Sequence, residues 1–526
     1  MNRLINVAFL FSAVVFFPEF ASGFSSPSRA KLDFTVRPLK TLLRNTAIDI
    51  AEEAQRDIDS FKEWASYGGI QTADGFELVG EELDGYLDVS AMTTKDIPAG
   101  SPVIYIPNDM ILSSSKVMEE FGRLTEAEQL LTDNGYASEI RQYYLMLKIL
   151  VELEKGQDSP WFPYLNSLPR YYSNGASMTL FCYTCIPPLV ASLCKEERAR
   201  LNNLSVKRVV PFLSNEIKGD PKLWKWAYQV VYTRGFEAND AFNICPMADY
   251  LNHGTETEVW MTYDDSGNCY AQALKDVPAN SPLRMSYGDP TNPSFLLARY
   301  GFLDESSPAT FCKIVPSHIS QEMKNLGYSH DRMLFYKDTG EVSEEVWDVL
   351  LYTALGETDP LVQQQFYQAH MNGDYSTKQY IHEQYYPLTA AALADHIDTF
   401  LDELDGLERK GEYGAKVAAD DHPRLPLLLR HNQFVRNTFL TGAVQQDDDG
   451  RLMNLFNREM LQLYEMETTR FNATASKRQS VRCDIGTILI TLTYWVNEPV
   501  WFDEKNFAHE MHVVPVFNGI LTRIPG

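Results

Sequence analysis

The chain has 526 residues, of which 46 are Lys or Arg and 71 are Asp or Glu, so its formal net charge is −25. This length accommodates two or three folded domains. The acidic balance argues against a nucleic-acid partner, which needs clustered Lys and Arg, and suits a basic protein segment or a small cationic ligand. Seven cysteines are too few, and odd in number, for a disulfide framework.

The first 46 residues have the composition of targeting signals. Residues 1–23 contain Arg3, an apolar run, Pro18 and the small residues 21–23, which predict a signal peptide; a buried first helix is the alternative. Residues 24–46 are basic, rich in hydroxyl groups and poor in acids, as transit peptides are. Together they resemble a bipartite plastid presequence, with the secretory pathway as the alternative destination. No later run is long and apolar enough to span a membrane, so we expect none to cross one in the mature form.

The middle of the chain alternates between strand-like and helix-like patterns. A helix is predicted near residues 47–66, and short strands follow up to about residue 106. Helical spacing dominates from about 115 to 235, and short strands return between 241 and 302. A strand-rich unit interrupted by a helical insert brings distant segments together at one site.

The last part of the chain is predicted to be a separate helical lobe. Helical spacing runs over residues 310–480, and residues 481–526 form a tail of unknown role. Within that tail, residues 484–496 read as a β element. No internal repeat is expected.

The common nucleotide-binding and hydrolase motifs do not occur. There is no G-x-G-x-x-G after a strand, no P-loop, no G-x-S-x-G and no H-E-x-x-H. Cys182 and Cys185 have the spacing of half a zinc site, but no second Cys or His pair lies at zinc-finger spacing. We therefore expect no metal site.

A linked set of motifs fills the second strand-rich region instead. A polar cluster (Pro246, Asp249, Asn252 and His253) precedes a Ser-Tyr-Gly turn at 286–288, and Asn292, Leu296 and Tyr300-Gly301-Phe302 follow. This set resembles the SET-domain protein methyltransferases, in the branch of the plastid Rubisco large-subunit lysine methyltransferases and the actin-histidine methyltransferases. Further segments, including 160–169 and 226–236, extend the resemblance over residues 61–303.

The resemblance implies an α+β SET-domain β-clip fold with short strands and a knot-like crossing, a rare exception to unknotted topology. The SET domain would cover residues 55–303, with the helical insert at about 115–235, and an all-α lobe at 310–480 would bind a protein substrate. The family's cofactor is S-adenosyl-L-methionine, and a monomer is expected.

The family's site residues carry over to matching positions of this chain. Tyr287 would be catalytic, at a channel where a neutral amine meets the methyl group. Substrate binding would involve Asp249, Tyr287 and Tyr300. Cofactor binding would involve Asp84, Gly85, Tyr86, Arg234, Asn252, His253, Tyr300, Gly301 and Phe302. The alternative is that these residues have purely structural roles. The tyrosines would then belong to the core, Asn252 would cap a turn, and Arg234 or Asp249 would be half of a structural ion pair.

One position departs from the family pattern. The first cofactor loop of the family has two glycines, E/D-G-x-G-L, and Leu87 stands where the second belongs. Because Leu adopts a positive φ only at a cost, the loop must change register or lose part of the cofactor pocket.

The sequence thus predicts a protein methyltransferase that modifies lysine on a plastid protein such as the Rubisco large subunit or aldolase. A catalytically silent SET scaffold that binds a partner is the main alternative, and a secreted glycoprotein is another. The methylated protein, lysine against histidine, and the number of methyl groups stay open.

Overall fold

The protein is described here from a computed structural model that covers residues 48–83, 86–206, 209–238, 240–311, 319–329 and 331–444, with residues 510–511 and 524–525. Contacts divide the chain after Gly442 into two compact units. The predicted targeting segments, residues 445–480 of the helical region and the β element at 484–496 lie outside this description. Within it, no helix combines the length and apolarity needed to cross a membrane.

The first helix is shorter than the sequence predicts. Helix α1 spans Ile58–Tyr67, whereas helical spacing suggested a start near residue 47. The Asp57 carboxylate accepts a hydrogen bond from the Ser60 amide at 3.0 Å, which satisfies a free donor of the first turn and fixes the helix start. Residues 48–57 precede the helix as irregular chain and turn.

Short strands and a helical insert follow α1 in the predicted order. The first strands are β1 (Gln71–Thr72), β2 (Phe76–Leu83), β3 (Tyr86–Thr93), β4 (Pro102–Ile106) and β5 (Leu112–Ser113). The insert contains α2 (Ser114–Phe121), α3 (Thr125–Asp133), α4 (Ile140–Lys155), α5 (Phe162–Ser167), α6 (Pro188–Leu204), α7 (Asn215–Gly219) and α8 (Pro221–Arg234). The second strand group contains β6 (Gly235–Ala238), β7 (Ala241–Ile244), β8 (Asn252–His253), β9 (Val259–Tyr263), β10 (Cys269–Ala273), β11 (Ser281–Pro282) and β12 (Arg284–Met285).

The sheets join strands from both sides of the insert. One sheet has the order β1-β4-β10-β9, a second β11-β3-β2, and a third β5-β7-β6. In the first, Tyr105 of β4 pairs with Tyr270 of β10 in antiparallel register. Strands β8 and β12 form a parallel pair, with Arg284 opposite Asn252 and Met285 opposite His253. The expectation that distant segments meet is therefore correct.

An internal repeat lies where these sheets meet, contrary to the sequence expectation. Residues 95–102 and 275–282 are identical at six of eight positions, and the backbones of Ile97 and Val277 exchange hydrogen bonds of 2.9 Å. Asp96 accepts from the Ala279 amide and Asp276 from the Ala99 amide, both at 2.8 Å. The two copies are thus related by a local two-fold. The repeat escaped sequence reading because it is only eight residues long and its copies are 180 positions apart.

The insert supplies several of the largest buried aromatic side chains. Tyr143, Tyr144, Tyr164, Trp224 and Tyr228 are fully buried. Their hydroxyl and indole groups find partners, for example Tyr143 Oη donating to the Val206 carbonyl at 2.9 Å. Burying such side chains stabilises the fold by about 1.5–3 kcal/mol each when the polar end is satisfied.

Behind the strand unit comes a helix and then the helical lobe, which contains a two-stranded antiparallel sheet besides the helices that the sequence predicts. These elements are α9 (Pro293–Tyr300), β13 (Ala309–Phe311), α10 (Gln321–Asn325), β14 (Leu334–Tyr336), α11 (Glu344–Thr358), α12 (Pro360–Asn372), α13 (Tyr375–Val417) and α14 (Leu425–Val444). The lobe contacts the strand unit and insert: His431 Nε2 lies 3.1 Å from Ser294 Oγ, and Asn432 Nδ2 donates to the Cys185 carbonyl at 2.7 Å. In the second unit, β15 (Glu510–Met511) pairs with β16 (Ile524–Pro525).

Candidate active site

The parallel pair β8–β12 brings the predicted site residues together. It places His253 beside the Ser-Tyr-Gly turn, so that the Tyr287 amide donates to His253 Nδ1 at 3.0 Å. The Tyr287 hydroxyl donates to the carbonyl of Leu251 at 2.7 Å. Tyr287 is therefore fixed at both its backbone and its side chain by the segment that contains Asn252.

Four aromatic rings surround this point. The ring centroids of Tyr287 and Tyr300 are 4.8 Å apart, and His253 lies 5.6 Å from both Tyr287 and Phe302. Burial raises the pKa of the Tyr287 phenol above its ordinary value. Tyr287 is therefore a neutral phenol at physiological pH, held in an aromatic cluster rather than in a turn alone.

Gly301 allows Tyr300 and Phe302 to approach this cluster. It ends α9 with a left-handed φ of 84°, which L side chains rarely adopt. A Cβ at this position would also lie 2.4 Å from the backbone nitrogen of Asn174 in the insert. The Tyr-Gly-Phe motif thus combines two aromatic rings with a residue that must lack a side chain.

Asp304 is a site residue that the sequence reading missed. Its Oδ2 lies 3.3 Å from His253 Nε2, and it accepts hydrogen bonds from Thr255 Oγ1 at 2.7 Å and from the Ser306 amide at 2.9 Å. Burial alone would raise the pKa of Asp304, but these contacts hold it well below its usual range. The carboxylate thus faces the Nε2 edge of the His253 ring. Its only sequence signal was its position two residues after Phe302.

Arg234 and Asp249 form a buried ion pair, the alternative that the sequence had left open. Arg234 Nη1 lies 2.9 Å from Asp249 Oδ2 and donates to its carbonyl at 2.8 Å, and Tyr164 Oη donates to the same carboxylate at 2.8 Å. The Asp249 side chain is fully buried and that of Arg234 is 11% exposed. The guanidinium also stacks on the Tyr250 ring at 4.9 Å.

Burial and the ion pair act in opposite directions on the pKa values of Arg234 and Asp249. Burial alone would lower the pKa of the Arg234 guanidinium, but the charge of Asp249 raises it above its ordinary value. Burial raises the pKa of the Asp249 carboxyl, and Arg234 and Tyr164 oppose that rise.

Two residues before Asp249, Met247 has φ 78° and ψ −48°, a strained conformation of the kind that clusters at functional sites.

The hairpin of β2 and β3 forms the other wall of the site. Its turn residues Asp84 and Gly85 lie outside the described residues. Tyr86 stacks on Tyr171 of the insert with ring centroids 3.5 Å apart. Asn252 Nδ2 lies 3.5 Å from Asp88 Oδ2, which connects the hairpin to β8.

Leu87, the position that departs from the family pattern, lies in a regular strand. It belongs to β3 and pairs in antiparallel register with Glu82, next to the pair of Leu83 with Tyr86. Its carbonyl accepts from Arg56 Nη1 at 3.0 Å and its side chain is partly exposed. This strand pairing fits a change of register, one of the two outcomes that the sequence allowed.

In the part of the chain that the structure describes, no group of three or more His, Cys, Asp or Glu side chains is placed to hold a metal ion. Cys182 and Cys185 are buried free thiols.

The chain is similar in sequence to curated actin-histidine N-methyltransferases. The chain is 24% identical over 292 residues to the actin-histidine N-methyltransferase of Drosophila melanogaster, which covers 49% of this chain and 51% of that protein. It is also 24% identical over 254 residues to the actin-histidine N-methyltransferase of Danio rerio, which covers 45% and 41%. The chain thus spans about half the length of the curated relatives it matches. No protein-family model matches it.

Solved structures show the fold. The SET domain of LSMT bound to lysine and AdoHcy aligns with a TM-score of 0.52 at 14% identity, covering 81% of this chain and 98% of that one. Rubisco LSMT bound to AdoMet aligns with a TM-score of 0.51 at 13% identity, covering 82% and 100%. The chain therefore has the α+β SET-domain fold with a helical C-terminal lobe, and its predicted resemblance to the Rubisco large-subunit and actin-histidine methyltransferase branch is confirmed.

Proposed function

We propose that this chain is an S-adenosylmethionine-dependent protein methyltransferase whose acceptor is a lysine side chain. One observation carries the proposal: Tyr287 is held by His253 and Leu251 inside an aromatic cluster. The contact between Asn252 and Asp88 joins this cluster to the β2–β3 hairpin. The arrangement combines a neutral phenol, a cluster of aromatic rings and a turn held by hydrogen bonds, which is what positioning a small transferred group requires.

The residues of the site fit the cofactor. Arg234 Nε is buried and has no hydrogen-bond partner within the described residues, so it can donate to the carboxylate of the methionine end. The rings of His253, Tyr300 and Phe302 offer an aromatic wall to the adenine. Asn252 and Tyr86 would border the same pocket from the strand and the hairpin.

The transfer is an in-line displacement, for which bound S-adenosylmethionine supplies a methyl group on a positively charged sulfur. The lysine nitrogen must be neutral to use its lone pair, although the ordinary pKa of a lysine is about 10.4. Burial among the four aromatic rings disfavours the ammonium form and so lowers that pKa. The Tyr287 hydroxyl donates a hydrogen bond to the Leu251 carbonyl. Its oxygen is therefore free to accept a hydrogen bond from an N–H of the amine and so to orient it.

Histidine is the second candidate acceptor, because the curated relatives are actin-histidine N-methyltransferases. Lysine is favoured by the solved structures of the same fold, which were obtained with lysine and monomethyllysine. Acid hydrolysis of a labelled product separates the outcomes. Label in methyl-lysine supports the proposal, whereas label in methyl-histidine assigns the chain to the other chemistry.

The proposed partner is a plastid protein with a lysine-bearing segment, such as the Rubisco large subunit or aldolase, bound by a monomer of this chain. The net charge of −25 favours a basic segment. The composition of residues 1–46 supports a plastid location, and the secretory pathway is the alternative. Fluorescent fusion of residues 1–46 to a reporter distinguishes the two compartments.

Calorimetric titration of the full chain with S-adenosylmethionine tests the proposed function. We expect saturable binding that Asn252→Ala weakens, because Asn252 connects β8 with the hairpin, and that Asn325→Ala leaves unchanged. Asn325 is a matched control: it contacts Gln321 and Tyr367 in the helical lobe. No binding at millimolar cofactor would identify the chain as a silent scaffold instead.

A further inference from the structure

Arg424 of the helical lobe packs against the insert and against the segment that precedes α1. It precedes α14, and its residue exposure is only 6%. Its guanidinium donates to the carbonyl of Tyr172 through Nε at 3.1 Å and Nη2 at 2.9 Å, and it pairs with Glu52 at 2.5 Å. These contacts fix the plane of the guanidinium as well as its position.

The guanidinium lies on the ring of Tyr171. Its central carbon is 4.2 Å from the ring centroid, a distance at which cation–π attraction is strong. The Tyr171 hydroxyl donates to the carbonyl of Pro423 at 3.2 Å, next to Arg424 in the chain. Tyr171 is therefore fixed by the lobe at its face and at its hydroxyl.

The other face of Tyr171 carries Tyr86. The two rings are nearly parallel, at 11°, with centroids 3.5 Å apart. Two groups within about 4 Å of one centroid cannot share a face without overlapping, so Arg424 and Tyr86 lie on opposite faces. The result is a stack, Arg424–Tyr171–Tyr86, that joins lobe, insert and hairpin in that order.

Tyr86 is the first residue after the hairpin turn and pairs with Leu83 across it. Asp88, two residues further along the strand, contacts Asn252 at 3.5 Å. A group that fixes Tyr86 therefore fixes the end of the hairpin that borders the proposed cofactor pocket.

We propose that Arg424 is a positioning residue for the cofactor, acting through Tyr171 and Tyr86 to hold the hairpin end in place. The inference rests on the proposed function. It gives the helical lobe a second task besides docking a protein substrate, because the lobe then sets the affinity for S-adenosylmethionine. Arg424 touches no reacting atom, so its loss should weaken cofactor binding and leave the transfer step itself intact.

Cofactor affinity and kinetics of full-length variants test this proposal. Arg424→Gln should raise the Kd for S-adenosylmethionine by about tenfold, the size of one desolvated cation–π contact, and Arg424→Lys should recover part of it. At saturating cofactor, kcat and the KM for the protein substrate should stay within about twofold, the precision at which additive effects are usually judged. Arg436→Gln is the matched control, since Arg436 lies on α14 and pairs with Asp405 of α13.

A double-mutant cycle shows whether Arg424 acts through Tyr86. If it does, Arg424→Gln adds no further loss of affinity in a Tyr86→Leu background. Fully additive losses would overturn the proposal. Hydrogen exchange gives a reading without cofactor: amides of residues 81–88 should exchange faster in Arg424→Gln, while those of β9 and β10 should not change.

The outcomes separate this inference from the proposed function. If the wild type binds no S-adenosylmethionine but hairpin exchange responds to Arg424→Gln, the function fails and the positioning contact stands. If the wild type binds and Arg424→Gln binds equally well, the inference fails. Should Arg424→Gln not fold, Tyr171→Leu replaces it and must show the same loss of affinity, with Tyr171→Phe close to wild type.

Discussion

Replacing Asp249 by Asn tests whether this residue is the buried half of an ion pair. The exchange keeps the shape of the side chain and removes its charge, so that Arg234 is left as an uncompensated buried cation. At the observed N–O distance of 2.9 Å and an effective dielectric constant of about 20, the Coulomb attraction is about 6 kcal/mol. The Asn oxygen recovers part of this attraction.

We therefore expect Asp249→Asn to lower the free energy of unfolding by about 3–5 kcal/mol, the usual cost of breaking a buried pair. Urea denaturation of the full chain, followed by circular dichroism, measures it. Asp74→Asn is the matched control, because its ion pair with Lys95 at 2.6 Å is largely exposed. Such surface pairs contribute about 0–1 kcal/mol.

A loss for Asp249→Asn no larger than for Asp74→Asn would refute this reasoning. An altered KM for the protein substrate with unchanged stability would instead restore the substrate-binding role that the family resemblance implied for Asp249. The first result concerns the free energy of unfolding and the second the KM for the protein substrate, so both measurements on one preparation of Asp249→Asn decide between the two roles.

Three further predictions follow from single residues. His431 is fully buried, which lowers its pKa to about 4; because an unfolded His titrates near 6.5, the free energy of unfolding should fall as pH drops from about 6.5 to 4. Urea titrations of His431→Gln should show a flatter pH dependence in that window, and an unchanged slope would contradict the assignment. The pKa of Asp304 is lower in the folded state than the value near 3.9 that it has in the unfolded chain. The ionised carboxylate therefore stabilises the fold above about pH 3.9, and this stabilisation is lost as pH falls below that value. The difference in Tm between wild type and Asp304→Asn should accordingly shrink between pH 5 and 3. Gly301→Ala should lower Tm and cofactor affinity together, by about 1–3 kcal/mol in stability, since the added Cβ meets the backbone of Asn174; a wild-type Tm would argue against the close approach.

Sequence reasoning identified the elements of the site because their signals are local. The motif around Asn252 and His253, the Tyr287 turn and the Tyr-Gly-Phe motif each occupy a few consecutive residues. Their joint resemblance to one family predicted that they meet, and the pairing of β8 with β12 brings them together. The helical spacing of the insert was equally local, because an amphipathic helix repeats its pattern within a dozen residues.

The features that sequence reasoning missed depend on contacts between distant segments. Asp304 lies 3.3 Å from His253 across 51 positions, and Arg424 reaches Glu52 across 372. Asp249 could be placed near the site but not assigned to the interior, since burial depends on Arg234 and Tyr164 arriving from the insert. Leu87 was expected in a loop because the family motif was imposed at its usual register, whereas hairpin pairing put it in a strand.

The most direct test of the account is methyl transfer from labelled S-adenosylmethionine into a plastid stromal extract by the wild type and by Tyr287→Phe. Phe preserves the ring packing against Tyr300 and removes the hydroxyl that we propose orients the acceptor. We predict that the wild type labels a lysine-bearing protein and that Tyr287→Phe, with its cofactor affinity retained, transfers at least about 100-fold more slowly. Equal labelling by the two proteins, or none by the wild type, would contradict the account.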